Sequence, residues 1–177
     1  MRLYPCLAMF ALLAACETET MGPSAPPTRF QPGTGEAFNE QDFAWSRAPG
    51  SGAIYGVMAY HSGDVRYSCS GRDVILAPET AWVRRRMYIL YGSTDTAAVP
   101  VGIVRARTPA ASSSSGDYAS YARKTTCDAA NRFSFTGLPD GAWYVLTLAR
   151  PGNHSSEAVA VMRRVETHGG SRGVVLD

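Results

Sequence analysis

Lysine is almost missing from this chain: of its 17 Lys and Arg residues only Lys124 is a lysine. Charge is sparse as well, at 18% of residues with a formal net charge of +2. So even a balance argues against a nucleic-acid binder, which concentrates basic charge on one face or along a stripe. Histidine is limited to three positions, His61, His154 and His168. Each stands beside Gly, Ser or Asn and reads as a solvated turn residue. The HExxH, GxSxG and GxxxxGK[ST] patterns are absent, which removes the usual signatures of zinc proteases, α/β-hydrolases and P-loop enzymes. No apolar run reaches the roughly twenty residues that a membrane-spanning helix needs. No long 3.6-residue stripe and no internal repeat is visible. What remains is 177 residues with 45% hydrophobic content. That is too apolar for a disordered chain and enough for one domain with tails, but too short for a large multidomain enzyme. Eleven Pro, 17 Gly, nine Tyr, six Phe and three Trp point to a turn-rich β protein.

The first fifteen residues read as an address. Arg2 precedes a short apolar stretch, Leu3 to Ala15, that ends in small residues, the pattern of a secretory signal peptide. Leu13-Ala14-Ala15-Cys16 resembles the lipobox of bacterial lipoproteins. That resemblance implies cleavage before Cys16, lipid on its thiol and acylation of the new amino terminus; the alternative is an incidental cysteine after an ordinary signal peptide. Each buried CH₂ contributes about 0.8 kcal/mol, so more than one acyl chain holds a domain to a bilayer. Cys6 lies in the removed segment and needs no role. With Glu17 and not Asp after the cysteine, the expected place is the cell envelope at the outer membrane, facing the periplasm.

Residues 16–49 form a Pro/Gly-rich tether in which Pro23, Pro26, Pro27, Pro32 and Pro49 interrupt Gly, Ser and Thr. Phe38, Phe43 and Trp45 are its exceptions, able to pack back as an ordered lead-in. Over residues 50–177, short β-rich runs alternate with turns as in a sandwich. Expected strands lie at Ala53–Tyr60, Val65–Tyr67, Asp73–Leu76, Met87–Tyr91, Val99–Val104, Arg132–Phe135, Ala142–Leu148, Ala158–Val165 and Gly173–Leu176. Helix is expected at most as a turn beginning at Thr80. The Ser112-Ser113-Ser114-Ser115-Gly116 run reads as an exposed loop. Phe133 and Phe135 alternate with polar residues and share one face, and Tyr144 and Leu146 are expected beside them in the core.

Phe133-Ser134-Phe135, then Gly137-Leu138-Pro139-Asp140-Gly141, then Trp143-Tyr144-Val145 resemble the carboxypeptidase regulatory-like domain; Ala53-Ile54-Tyr55-Gly56 and Val74-Ile75-Leu76-Ala77-Pro78-Glu79-Thr80 add to the likeness. The family implies an all-β fold, a single prealbumin-like β-sandwich of about seven strands, without chemistry in these motifs. Relatives of that fold that hydrolyse a ureide intermediate end in Tyr-Arg-Gly-Ser, whereas this chain ends Ser171-Arg172-Gly173-Val174-Val175-Leu176-Asp177. Others form Lys-Asn isopeptide crosslinks, but Lys124 is one possible donor with no matching pattern around it.

Cys69 and Cys127, in an oxidising compartment, are expected to pair. Two buried free thiols are the alternative, and the spacing does not suit a CxxC zinc site. Asp64, Asp73 and Asp128 stand in turns, where Asp commonly serves the backbone. Arg84-Arg85-Arg86 is the one dense charge run, read as a solvated loop or strand end, with contact to anionic lipid as the alternative. Trp143 belongs to the core and Trp82 is open to either use. The expectation is therefore a non-catalytic binding or structural module of an envelope lipoprotein, without cofactor or metal. Its partners would be the membrane through lipid on Cys16 and an envelope protein or glycan. The second reading is a carbohydrate-binding module on the same sandwich.

Overall fold

The computed structural model describes residues 37–111, 118–152 and 157–177. The signal segment, Cys16, the tether up to residue 36, the Ser112–Gly116 run and His154 lie outside these described residues. Ten strand segments build two sheets. The smaller places β1 (Gly52–Met58) between β10 (Ser171–Leu176), to which it is parallel, and β7 (Arg132–Leu138), to which it is antiparallel. The larger centres on β8 (Gly141–Pro151), flanked by β4 (Asp73–Pro78) and β9 (Val159–Thr167). It continues to β6 (Arg123–Thr126) beside β4 and to β5 (Thr96–Pro100) beside β9. Two short strands, β2 (His61–Ser62) and β3 (Val65–Ser68), extend it at the far end of β8. The expected sandwich is present, with more and shorter strands than seven.

Strand alternation divides the buried residues between two cores. Ile54, Leu76, Phe133, Phe135, Leu138, Trp143, Val145, Val161 and Leu176 fill the space between the sheets. Leu138 is fully buried there, at the Gly-Leu-Pro-Asp-Gly turn where Gly137 takes a φ of +66° that its missing Cβ permits. Tyr144 and Leu146 do not join Phe133 and Phe135, contrary to the expectation. Being even-numbered on β8, they face the other side, with Ala77 and Met162. The indole N–H of Trp143 donates to the hydroxyl of Thr167 at 3.1 Å, satisfying its one polar atom inside the core.

The second core exists because a helix covers that outer face. The run Met87–Tyr91, expected as a strand, belongs to α1 (Ala81–Tyr91). The Thr80 side chain accepts from the N–H of Val83 at 3.1 Å, a helix N-cap, and Gly92 ends the helix at φ +74°. Val83, Met87 and Leu90, at i, i+4 and i+7, make the buried stripe. The expected strand at Val99–Val104 divides in the same way: β5 ends at Pro100 and α2 (Val101–Ala111) begins at the next residue. Glu157 caps α2 by accepting from the Gly102 N–H at 2.7 Å, an anion at a helix N-terminus.

Arginines fasten the two helices. Arg107 donates to the Leu90 carbonyl at 3.0 Å, and Arg86 donates to the Ala111 carbonyl while stacking near Trp82 and Tyr118. Arg84 pairs with Glu79. Arg84, Arg85 and Arg86 are thus helical, and two of the three are engaged within the fold, a correction to the solvated loop or strand end expected for them. Trp82 is buried as well, edge-on to Phe38 with ring centres 5.5 Å apart.

Phe38, Phe43 and Trp45 do form an ordered lead-in. A 3₁₀ helix at Glu40–Arg47 buries Phe43 completely against Tyr121, ring centres 4.8 Å apart, and sets Trp45 against Trp143 at 4.8 Å.

Candidate functional site

Helix α1 covers only part of the outer face of the large sheet. Its last residue, Tyr91, marks the edge of that cover. Beyond it, Ile75, Leu146 and Leu148 form an apolar floor, and Leu148 keeps 48% of its surface exposed. What sets Leu148 apart from other exposed apolar side chains is that Ile75 and Leu146 adjoin it in one cleft lining. Tyr118, at the start of a second 3₁₀ helix (Tyr118–Tyr121), joins Tyr91 as an aromatic wall. Gly71, Arg72 and Asp73 close the third side. The resulting cleft has a volume of about 430 Å³. A mostly apolar lining with a few convergent polar groups is the usual constitution of a small-ligand site.

The rim is held by the Cys69–Cys127 disulfide, whose Cα atoms are 5.7 Å apart. Around it the backbone is knitted: the Arg72 N–H donates to Cys69 O at 2.7 Å, the Cys127 N–H donates to Arg72 O at 2.9 Å and the Gly71 N–H donates to Cys127 O at 2.9 Å. Asn131, at φ +61°, accepts on its side-chain oxygen from the Ser68 hydroxyl at 2.6 Å and from the Cys69 N–H at 3.1 Å. Asp73 pairs with Lys124 at 2.7 Å, and both remain exposed. Burial pushes the Tyr91 phenol up to about 12, with Tyr118 adding to the effect and Arg86 opposing it. Tyr91 therefore offers a neutral O–H at any physiological pH.

The other candidates are occupied with structural work. Asp128 accepts on one oxygen from the N–H groups of Ala130 and Arg132, both at 2.8 Å, and pairs through the other with the Arg132 side chain at 3.0 Å. The backbone N–H of Arg132 is the main cause holding that carboxyl below its usual range. His168 sits 3.3 Å from Glu166 on the turn after β9, and His61 is exposed on β2. Glu79 is more unusual, with only 8% of its side chain exposed. It pairs with Arg84 and, at 2.7 Å, with Arg164, and it accepts from the Tyr144 hydroxyl at 3.3 Å. Burial, then the Glu79 charge, raises the Tyr144 phenol well above its ordinary value. A larger groove, about 760 Å³, lies between β9 and β10. Two of its three arginines are matched internally, Arg163 with Asp177 at 2.6 Å and Arg164 with Glu166 at 2.7 Å, while Arg172 stands exposed on its wall, and the groove lacks the apolar floor and aromatic wall of the first. Among the described residues, no three His, Cys, Asp or Glu side chains gather as a metal site, and no helix is long and apolar enough to cross a membrane.

Of the residues singled out in the sequence, Asp73 lines the cleft, as does Leu146, which was expected in the core, while Cys69 and Cys127 brace it. Sequence reasoning missed Arg72, Tyr91 and Tyr118 as site residues; the one available signal was the abundance of Tyr.

No family model matches the chain, and no curated protein matches it. The fold defines the protein as a two-sheet β-sandwich with a helical layer on one outer face. Among solved structures, it is similar to a protein from Pseudomonas aeruginosa named a "putative carbohydrate binding protein". The match has a TM-score of 0.54 at 19% identity and covers 78% of this chain and 96% of that one. At that identity the likeness is one of fold.

Proposed function

We propose that the protein is a lipid-anchored envelope protein whose sandwich is a non-catalytic carbohydrate-binding module of the carboxypeptidase regulatory-like type. The observation that carries this reading is the cleft at the end of α1. Two tyrosine rings, an exposed leucine floor and a charged rim meet there on a rigid sheet. Sugars present apolar C–H faces that pack on aromatic rings and hydroxyls that bond to charged and phenolic groups, so this mixture suits them. The name given to the structural neighbour supports the same class. The Cys16 lipobox supports anchoring at the outer membrane, facing the periplasm. A protein partner on an edge strand is the second reading, favoured by the free edge of β10 in the small sheet.

Titration calorimetry with peptidoglycan fragments and a panel of oligosaccharides tests the proposal. Binding that weakens about tenfold in Tyr118→Ala is expected, corresponding to the upper range of one aromatic contact. No heat with any sugar would count against it. Anchoring is tested separately: Cys16→Ser protein should leave the membrane fraction and lose its acyl mass.

A further inference from the structure

We infer that the cleft selects an acidic saccharide, one bearing a carboxylate, and that Arg72 is the residue that receives it. This rests on the carbohydrate reading above and narrows it to a ligand class. Three observations carry it.

The first is charge. The residues lining the cleft include two that are charged, Arg72 and Asp73. Asp73 is already neutralised by Lys124 at 2.7 Å. The remaining lining side chains, Ile75, Leu146, Leu148, Thr147 and the two tyrosines, carry none. Among the described residues, the cleft lining therefore presents one unmatched positive charge, on Arg72. A guanidinium is the cation best shaped for a carboxylate, since it can donate two parallel N–H bonds.

The second is placement. Arg72 is fixed through its backbone: its N–H and its C=O are both bonded within the disulfide corner, to Cys69 and Cys127. Its side chain therefore starts from a position set by the covalent bridge, and little main-chain freedom is lost when a ligand binds.

The third is the surroundings. Arg72 is half-buried beside an apolar floor, where an ion pair is screened less than on open surface. An anionic group on a sugar ring stacked at Tyr91 and Tyr118 would find that guanidinium on the facing rim.

The test is calorimetry on the intact disulfide-bonded protein with two probes of equal length, an oligogalacturonate and a neutral gluco-oligosaccharide. The acidic probe should bind about tenfold more tightly, the order expected of a charge-assisted bidentate pair. The advantage should vanish in Arg72→Gln and shrink in 0.5 M salt, while Arg72→Lys retains part of it. Because the Arg72 backbone makes the structural bonds, both variants should keep the wild-type circular dichroism and melting temperature. Equal affinity for both probes, or an acidic preference that survives in Arg72→Gln, would overturn the inference and leave the carbohydrate reading standing. Failure of both probes and of the wider sugar panel would overturn the carbohydrate reading itself.

Discussion

Breaking the Cys69–Cys127 bridge should cost the fold about 4 kcal/mol. The two cysteines are 58 residues apart in sequence. In the chain-entropy model the crosslink removes about 2.1 + 1.5R ln n cal/mol/K from the unfolded ensemble, and with n near that separation the stabilisation at 25 °C is about 4 kcal/mol. Urea denaturation of the oxidised protein against the same protein reduced with dithiothreitol isolates the crosslink, because both sulfurs stay in the core. For a chain with an m-value of about 2 kcal/mol/M the midpoint should fall by about 2 M. The Cys69→Ala/Cys127→Ala variant should fall somewhat further, since each sulfur is buried and leaves a small void. A midpoint shift below about 0.5 M with an unchanged slope would refute the reasoning. It would mean that the unfolded chain already holds these segments together, or that the native corner is strained by an equal amount.

Glu79→Ala should destabilise the fold by about 3 kcal/mol, the low end for breaking a buried pair because Arg84 and Arg164 keep some contact with water; chemical denaturation measures it. Gly56→Ala would place a Cβ 1.9 Å from the Phe133 ring that lies across Gly56, so the usual gain of alanine over glycine in a strand should reverse to a loss of about 1–3 kcal/mol. Adding Phe133→Leu should recover part of it in a double-mutant cycle. For Asp128, the native pKa lies below the unfolded one, so its contribution to stability is complete above the ordinary value of 3.8 and is lost as pH falls through the native value. The stability gap between wild type and Asp128→Asn, followed by thermal melts, should therefore be constant near neutrality and close in acid.

How far the sequence exposed this structure depends on how local each feature is. The β7–β8 hairpin was legible because Gly137, Pro139 and Gly141 each dictate local backbone and the flanking strands are aromatic. The cysteine pairing was legible because Cys69 and Cys127 are the two cysteines of residues 50–177. The helices were hidden for physical reasons. Helix α1 holds Val83, Tyr88, Ile89 and Tyr91, residues that favour strands, and its buried stripe is broken up by three consecutive arginines, one of which, Arg86, finds its carbonyl partner 25 residues away at Ala111. Strand β8 reads as one apolar run because both its faces are buried, so alternation could not show that Tyr144 faces a different core from Trp143. The cleft was least legible of all. Its residues come from the disulfide corner, β4, the end of α1, the second 3₁₀ helix and β8, and its floor is bare only because α1 stops at Tyr91. No sequence window contains that fact.

Helix α1 ties the ordered lead-in to the cleft. Phe38, near the first described residue, packs against Trp82 in the first turn of the helix, while Tyr91 at its last residue borders the cleft. Nine residues of helix separate Trp82 from Tyr91, about 14 Å, and Tyr118 bridges them: its ring centre lies 5.3 Å from that of Trp82 and it lines the cleft beside Tyr91. Lead-in and cleft therefore share one aromatic chain, Phe38–Trp82–Tyr118, so a substitution at Phe38, which does not line the cleft, would shift the wall that a ligand meets.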